Sequence, residues 1–158
     1  MLIEQLTDYA HANALSPIVL TFYPHPIMTL QGYRPGHYLT LPDERAALLE
    51  KLGVESIITH PFDENVRHMR ANEFLRNLLS HLSMRALWVG TDFAMGYQRE
   101  GNVEYLHSQA AAQSYTLRVV ALLSEKGQRV SSTQIREALN NGDMRTVHEL
   151  SGRAYRIS

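Results

Sequence analysis

Three short segments hold the residue types from which a reacting phosphate site could be built. The first is R-V-S-S-T-Q-I-R, Arg129 to Arg136. Ser131 followed three residues later by Gln134 has the spacing of a capping box, so the hydroxyls of Ser131, Ser132 and Thr133 gather at the start of a helix. Free N–H groups and the positive end of the helix dipole make such a place suited to an anion. Arg136 lies about one turn further on, where a guanidinium can close on a phosphate. A plain helix cap with a solvated arginine explains the same spacing.

The second segment is T-F-Y-P-H-P, Thr21 to Pro26, in which Pro24 and Pro26 flank His25 at the end of an apolar run. Two prolines remove two backbone donors and stiffen the chain, so His25 is presented to a phosphate or a ring carbonyl, or is incidental to a rigid turn. The third is G-T-D-F-A-M-G, Gly90 to Gly96. Here Asp92 could accept ring N–H groups or serve a metal-bound phosphate, and Phe93 and Met95 could lie on a flat ligand. The alternative is an Asp-containing turn with Phe93 in the core.

The elements that must position these segments can be read from periodicity. Leu2 to Ala10 has helical spacing, and further helical patterns cover Asp43 to Leu52, Ala71 to Leu82, Val103 to Gln113, Ser132 to Asn140 and Met144 to Leu150. Short β-rich runs stand at Ser16 to Phe22, Ser56 to Thr59, Ala86 to Val89 and Thr116 to Leu122. Alternating strand and helix predict an α/β fold with a parallel sheet covered by helices. Two connections are long: Tyr23 to Leu41, about nineteen residues without a periodic pattern, and Gly90 to Asn102. Both follow strands, and ligands of open parallel sheets bind at the carboxyl ends of strands.

Composition narrows the chemistry further. The chain has 158 residues, 44% hydrophobic and 20% charged, with a formal charge of −1, the values of one globular domain without the basic excess of a nucleic-acid binder. Only Lys51 and Lys126 are lysines among its 15 basic residues. With no cysteine there is no disulfide scaffold, no thiolate metal site and no Cys nucleophile. The eight histidines form no H-E-x-x-H and no close pair on one helical face, so no metal ligand is assigned. No G-x-S-x-G occurs, and no signal-peptide or membrane-spanning run is present, which predicts a cytoplasmic location without membrane partners.

In order and spacing, T-F-Y-P-H-P, L-T-L-P-D-E-R-A-A-L-L-E-K-L-G-V, G-T-D-F-A-M-G and R-V-S-S-T-Q-I-R-E-A-L-N-N-G-D resemble the adenylyltransferase (FAD synthetase) module of bacterial bifunctional riboflavin kinase/FAD synthetases. The resemblance covers nearly all of the chain. It implies a Rossmann-like nucleotidyltransferase (HUP-type) fold, an open parallel sheet with helices on both faces. The implied activity is Mg²⁺-dependent transfer of AMP from ATP to FMN, giving FAD and pyrophosphate. By position, Ser131, Ser132, Thr133 and Arg136 correspond to the ATP-binding residues, Ser131 and Arg136 being assigned to catalysis, and Pro24, His25, Pro26, Asp92 and Phe93 to the flavin-binding residues.

Three departures stand out. Tyr23 takes the place of a usual acidic residue and Met95 that of a usual Phe. The family's first, central strand with its G-x-F-D-G-x-H-x-G-H segment belongs before Leu2, so the resemblance implies an N-terminally truncated domain over residues 1–151, weak or inactive alone, and an upstream segment as its partner. G-R-A-Y-R-I, within 152–158, resembles the linker toward a riboflavin kinase domain. Two other readings use the same residues: a non-catalytic flavin- or nucleotide-binding module, and an adenylyltransferase for nicotinate mononucleotide or phosphopantetheine.

Overall fold

The computed structural model describes residues 2–32, 37–121, 124–125 and 128–155. It divides into two compact units, Met1–Tyr33 with Pro42–Ala121, and Arg34–Leu41 with Leu122–Ser158.

The first unit is a mixed α/β structure with small parallel sheets. Helix α1 (Leu2–Ala12) leads into β1 (Ile18–Phe22), followed by α2 (Pro26–Gln31), α3 (Pro42–Glu50), β2 (Ser56–His60), α4 (Glu64–His68) and α5 (Ala71–Leu82). Strand β3 (Ala86–Gly90) follows, then the short strands β4 (Ala94–Met95) and β5 (Gly101–Asn102), helix α6 (Val103–Ala112) and β6 (Thr116–Val120). Strands β1 and β2 pair in parallel with Ile18 opposite Ser56, and β3 and β6 pair in parallel with Ala86 opposite Thr116.

Helices cover both faces of each pair. Successive strand residues point to opposite faces. Trp88 meets Tyr9 of α1, ring centroids 5.5 Å apart, whereas Val89 joins Leu75 of α5, Met95, Leu106 of α6 and Tyr115 in the core cluster. In β1, Thr21 accepts a hydrogen bond from Arg45 of α3, while Phe22 packs toward Phe74 of α5 at 6.1 Å. Helix α5 therefore serves both pairs, as its apolar stripe of Phe74, Leu75, Leu78, Leu79 and Leu82 requires.

The single sheet expected from the strand and helix order is divided: no ladder joins β1–β2 to β3–β6 among the described residues. All five residues of β1 are only partly buried, although their apolar run suits a strand enclosed on both sides. In the expected long loop from Tyr23, residues Pro26 to Gln31 form α2 instead. Proline at the first helical position loses only a hydrogen bond that no helix makes there, and His25 caps the turn.

The second unit contains a two-stranded antiparallel ribbon, β7 (Ser124–Glu125) and β8 (Gln128–Arg129), and helices α7 (Ser132–Asn140) and α8 (Met144–Ser151), which pack together. Val147, fully buried, and Ala138 carry the contact face. The expected linker over 152–158 begins where Gly152 ends α8 in the left-handed conformation, and its last three residues lie outside the described set.

Candidate functional site

The sequence places chemistry after β1, after β3 and at the start of α7. After β1, Tyr23 donates its N–H to His60 O at 3.0 Å, and the Tyr23–Pro24 peptide is cis. His25 is the N-cap of α2, its Nδ1 accepting the Ile27 N–H at 3.2 Å, and Pro26 begins the helix. Met28 is buried and Thr29 donates Oγ1–H to Phe62 O at 3.0 Å. Tyr23, Pro24 and His25 remain exposed at the carboxyl end of the strand.

After β3, the chain turns at Thr91 and Asp92, with Phe93 N–H donating to Gly90 O at 3.1 Å. Strands β4 and β5 then form a minimal antiparallel hairpin, Ala94 opposite Asn102 and Met95 opposite Gly101. Asp92 is exposed beside an open concavity of about 330 Å³ whose walls include Phe93, Arg99 and Glu104. Phe93 is half-buried, one side on the core cluster, and Met95 is 9% exposed within it. Met95 is therefore core filling, not a surface for a flat ligand as its sequence position suggests.

Both turns reach the first turn of α5. Phe74 meets the end of β1, and Gly96 and Gly101 lie so close to Ala71 that a Cβ on either would come within 2.6 or 2.7 Å of it. Glu100 completes the contact. Its carboxylate accepts from Arg70 Nε at 2.7 Å, from Arg70 Nη2 at 2.7 Å and from the Ala71 N–H at 2.8 Å. These bonds, Arg70 first and the Ala71 amide second, hold the Glu100 carboxyl below its usual range.

In the second unit, Ser131 forms the expected capping box: its Oγ accepts the Gln134 N–H at 3.4 Å while Gln134 Oε1 accepts the Ser131 N–H at 2.9 Å. Ser132 and Thr133 follow as exposed residues of the first helical turn. Arg136 donates Nε–H to His37 O at 2.7 Å, and burial pulls its pKa downward. That bond takes one guanidinium edge for the 37–41 segment, a constraint the sequence does not reveal. Arg99, Glu100 and Arg70 are likewise absent from the sequence reading, because a pair 30 residues apart has no local spacing signal.

Among the described residues no group of three or more His, Asp or Glu side chains converges as a metal cage, and no helix is long and apolar enough to cross a membrane.

The FAD synthetase family model matches residues 1–134. The chain belongs to the FAD synthetase family. This membership rests on more than half the chain and agrees with 31% identity over 157 residues to a bifunctional riboflavin kinase/FMN adenylyltransferase of Haemophilus influenzae, covering 98% of this chain and 51% of that protein. The protein of the same description from Escherichia coli K12 is 28% identical over 158 residues, covering 99% and 50%. This FAD synthetase family chain thus spans about half the length of the curated relatives it matches. A solved chain described as a macrolide-efflux protein from Streptococcus pneumoniae superposes with a TM-score of 0.84 at 24% identity, over 96% of this chain and 49% of that one, and shows the fold alone.

Proposed function

We propose that this chain is the adenylyltransferase part of an FMN adenylyltransferase, moving AMP from ATP to FMN. A phosphate oxygen of FMN attacks the α-phosphorus of ATP, the bond to the β-phosphate oxygen breaks, and FAD and pyrophosphate leave. Little covalent work falls to the protein, so positioning and neutralisation of phosphate charge carry the reaction.

The observation that supports this most is the start of α7. Its capped first turn offers N–H groups and the positive dipole end to an anion, with Ser132 and Thr133 exposed there. Arg136, oriented through His37 O, keeps its remaining N–H groups for a phosphate and stabilises charge as pyrophosphate departs. Pro24, His25 and Pro26, with Asp92 and Phe93, take the flavin side: the prolines fix the turn, His25 donates, and Asp92 accepts from the ring. Mg²⁺ in such sites is held largely by substrate phosphates and water, with one or two carboxylates. The described residues do not build a cage that fits a protein-held ion.

The divided sheet supports a finer reading, in which a further strand lies between β1 and β3 in the complete fold and residues beyond 151 lead toward a riboflavin kinase half. It also favours a second reading for the chain by itself, flavin or nucleotide binding without turnover, because a half-open sheet leaves the strand ends less rigidly placed.

FAD formation from FMN and ATP, followed by chromatography alongside pyrophosphate release, tests both. The first reading expects slow FAD formation from the chain, as for a domain weak on its own, and a further loss of about 100-fold or more in Arg136→Ala. Quenching of FMN fluorescence with no pyrophosphate supports binding alone, and neither signal sinks both.

A further inference from the structure

We infer that His60, at the carboxyl end of β2, is a further ligand-binding residue, whose Nε2 accepts a hydrogen bond from an N–H or O–H group of the flavin. The inference rests on the flavin reading above and adds to it a residue outside the three sequence segments.

His60 is the last residue of β2 and the register partner of Phe22, the last residue of β1. In a parallel pair both of these ends lie at one edge of the sheet, the edge at which ligands of such sheets bind. The turn with Pro24 and His25 continues from Phe22, and two hydrogen bonds hold it to the chain around His60. It leaves β1 on the carbonyl of His60 itself, through the Tyr23 N–H at 3.0 Å. It returns through Thr29, whose Oγ1–H donates to Phe62 O at 3.0 Å. The proposed flavin turn is therefore tied on both sides to residues 60–62.

The imidazole is oriented as well as placed. Its ring meets Phe22 edge to face, centroids 6.1 Å apart at 70°, and its Nδ1 lies 2.7 Å from Pro61 O. A carbonyl oxygen only accepts, so Nδ1 carries the hydrogen and the neutral ring keeps its lone pair on Nε2. Neither contact engages Nε2. Half-buried beside the turn, His60 thus offers an acceptor on a ring that the protein already holds. FMN supplies two kinds of group that can donate to it, the ring N–H and the ribityl hydroxyls, whereas its ionised phosphate only accepts.

The test uses the whole chain at pH 8 with FMN, riboflavin, lumiflavin and ATP. His60→Phe keeps an aromatic ring against Phe22 and removes the acceptor. It is expected to weaken FMN and riboflavin binding, read by fluorescence quenching, on the order of tenfold, the equivalent of one hydrogen bond, with ATP binding and Tm near wild type. His60→Gln, which keeps an acceptor oxygen, restores most of that loss. An equal loss for lumiflavin, which has the ring without the ribityl chain, supports the ring N–H as donor, and unchanged lumiflavin binding supports a ribityl hydroxyl. Wild-type FMN affinity in His60→Phe, a loss confined to FMN that would place His60 at the phosphate, or an equal loss for ATP overturns the inference.

Nitrogen NMR of the unliganded chain separates this claim from the functional reading. The neutral His60 ring should carry its hydrogen on Nδ1, and a hydrogen on Nε2 defeats the inference whatever the chain binds. A wild-type chain with the hydrogen on Nδ1 that quenches no flavin defeats the functional reading, and the role of His60 toward flavin falls with it.

Discussion

The β3–β6 pair and the β1–β2 pair share parallel pairing, a five-residue length and helices on both faces, yet they differ in depth. Val89 of β3 is 3% exposed and belongs to the core cluster with Leu75, Met95, Leu106 and Tyr115, whereas β1 and β2 contribute no buried residue. The turns that follow differ in the same sense. The one after β3 is fastened to α5 by Glu100 and two glycines and to Met69, at the end of α4, by the Tyr97 amide, while the one after β1 is held by a His25 cap, Thr29 and the Tyr23 amide. A pair of strands becomes rigid through what packs on it, not through the number of its ladder bonds.

That contrast should break first under core truncation. Leu75→Ala or Leu106→Ala, both at fully buried side chains, is expected to cost about 2–5 kcal/mol in urea unfolding, and Leu20→Ala in β1 clearly less. Equal losses would show that the two pairs are equally well packed. Glycine replacements sharpen the point. Gly96→Ala combines φ of +75° with a Cβ 2.6 Å from Ala71 N and should cost about 2–4 kcal/mol, by strain and by overpacking together. Gly32→Ala, at the C-cap of α2, shares the positive φ at +82° but its Cβ would meet nothing within 4 Å among the described residues, so only the backbone cost of about 1–3 kcal/mol remains. A Gly32→Ala loss as large as that of Gly96→Ala would show that the Ala71 contact adds nothing to the cost at Gly96.

Smaller effects follow from polar groups. Tyr115→Phe removes a 2.6 Å bond from the phenol to Leu106 O, a carbonyl within α6, with an expected loss of about 0.5–1.5 kcal/mol. The smallest effect is in pH dependence. Because the Glu100 carboxyl is depressed in the folded chain, its contribution is fully present above the unfolded value near 4.5 and is lost as pH falls through the folded value. Thermal melting between pH 6 and 3 should therefore decline more in wild type than in Glu100→Gln, and parallel curves would remove Glu100 from the account.

Long periodic elements were legible from the sequence. Helices at Ala71–Leu82 and Ser132–Asn140 occupy the expected residues, and the four main strands fall within the expected runs by a residue or two. The Ser131 and Gln134 capping box was visible too, since a cap is a local bond with a fixed spacing. Helices α2 and α4, of six and five residues, were not legible, because a stretch that short shows too little periodicity and begins with a proline in one case. The hairpin at Ala94 to Asn102 was also hidden. Its position is dictated by Ala71 and Glu100 across the fold, and Phe93 and Met95 look the same in sequence whether they face a ligand or the core.

The cap that His25 gives α2 also fixes where its ring proton sits. Nδ1 accepts the Ile27 N–H, so the neutral imidazole must carry its hydrogen on Nε2. The tautomer is thereby set by the backbone of the next turn before any ligand arrives. Through Nε2 the neutral ring is therefore a donor to whatever partner it holds, which suits carbonyl and phosphate oxygens over N–H groups and gives this histidine a fixed hydrogen-bond polarity.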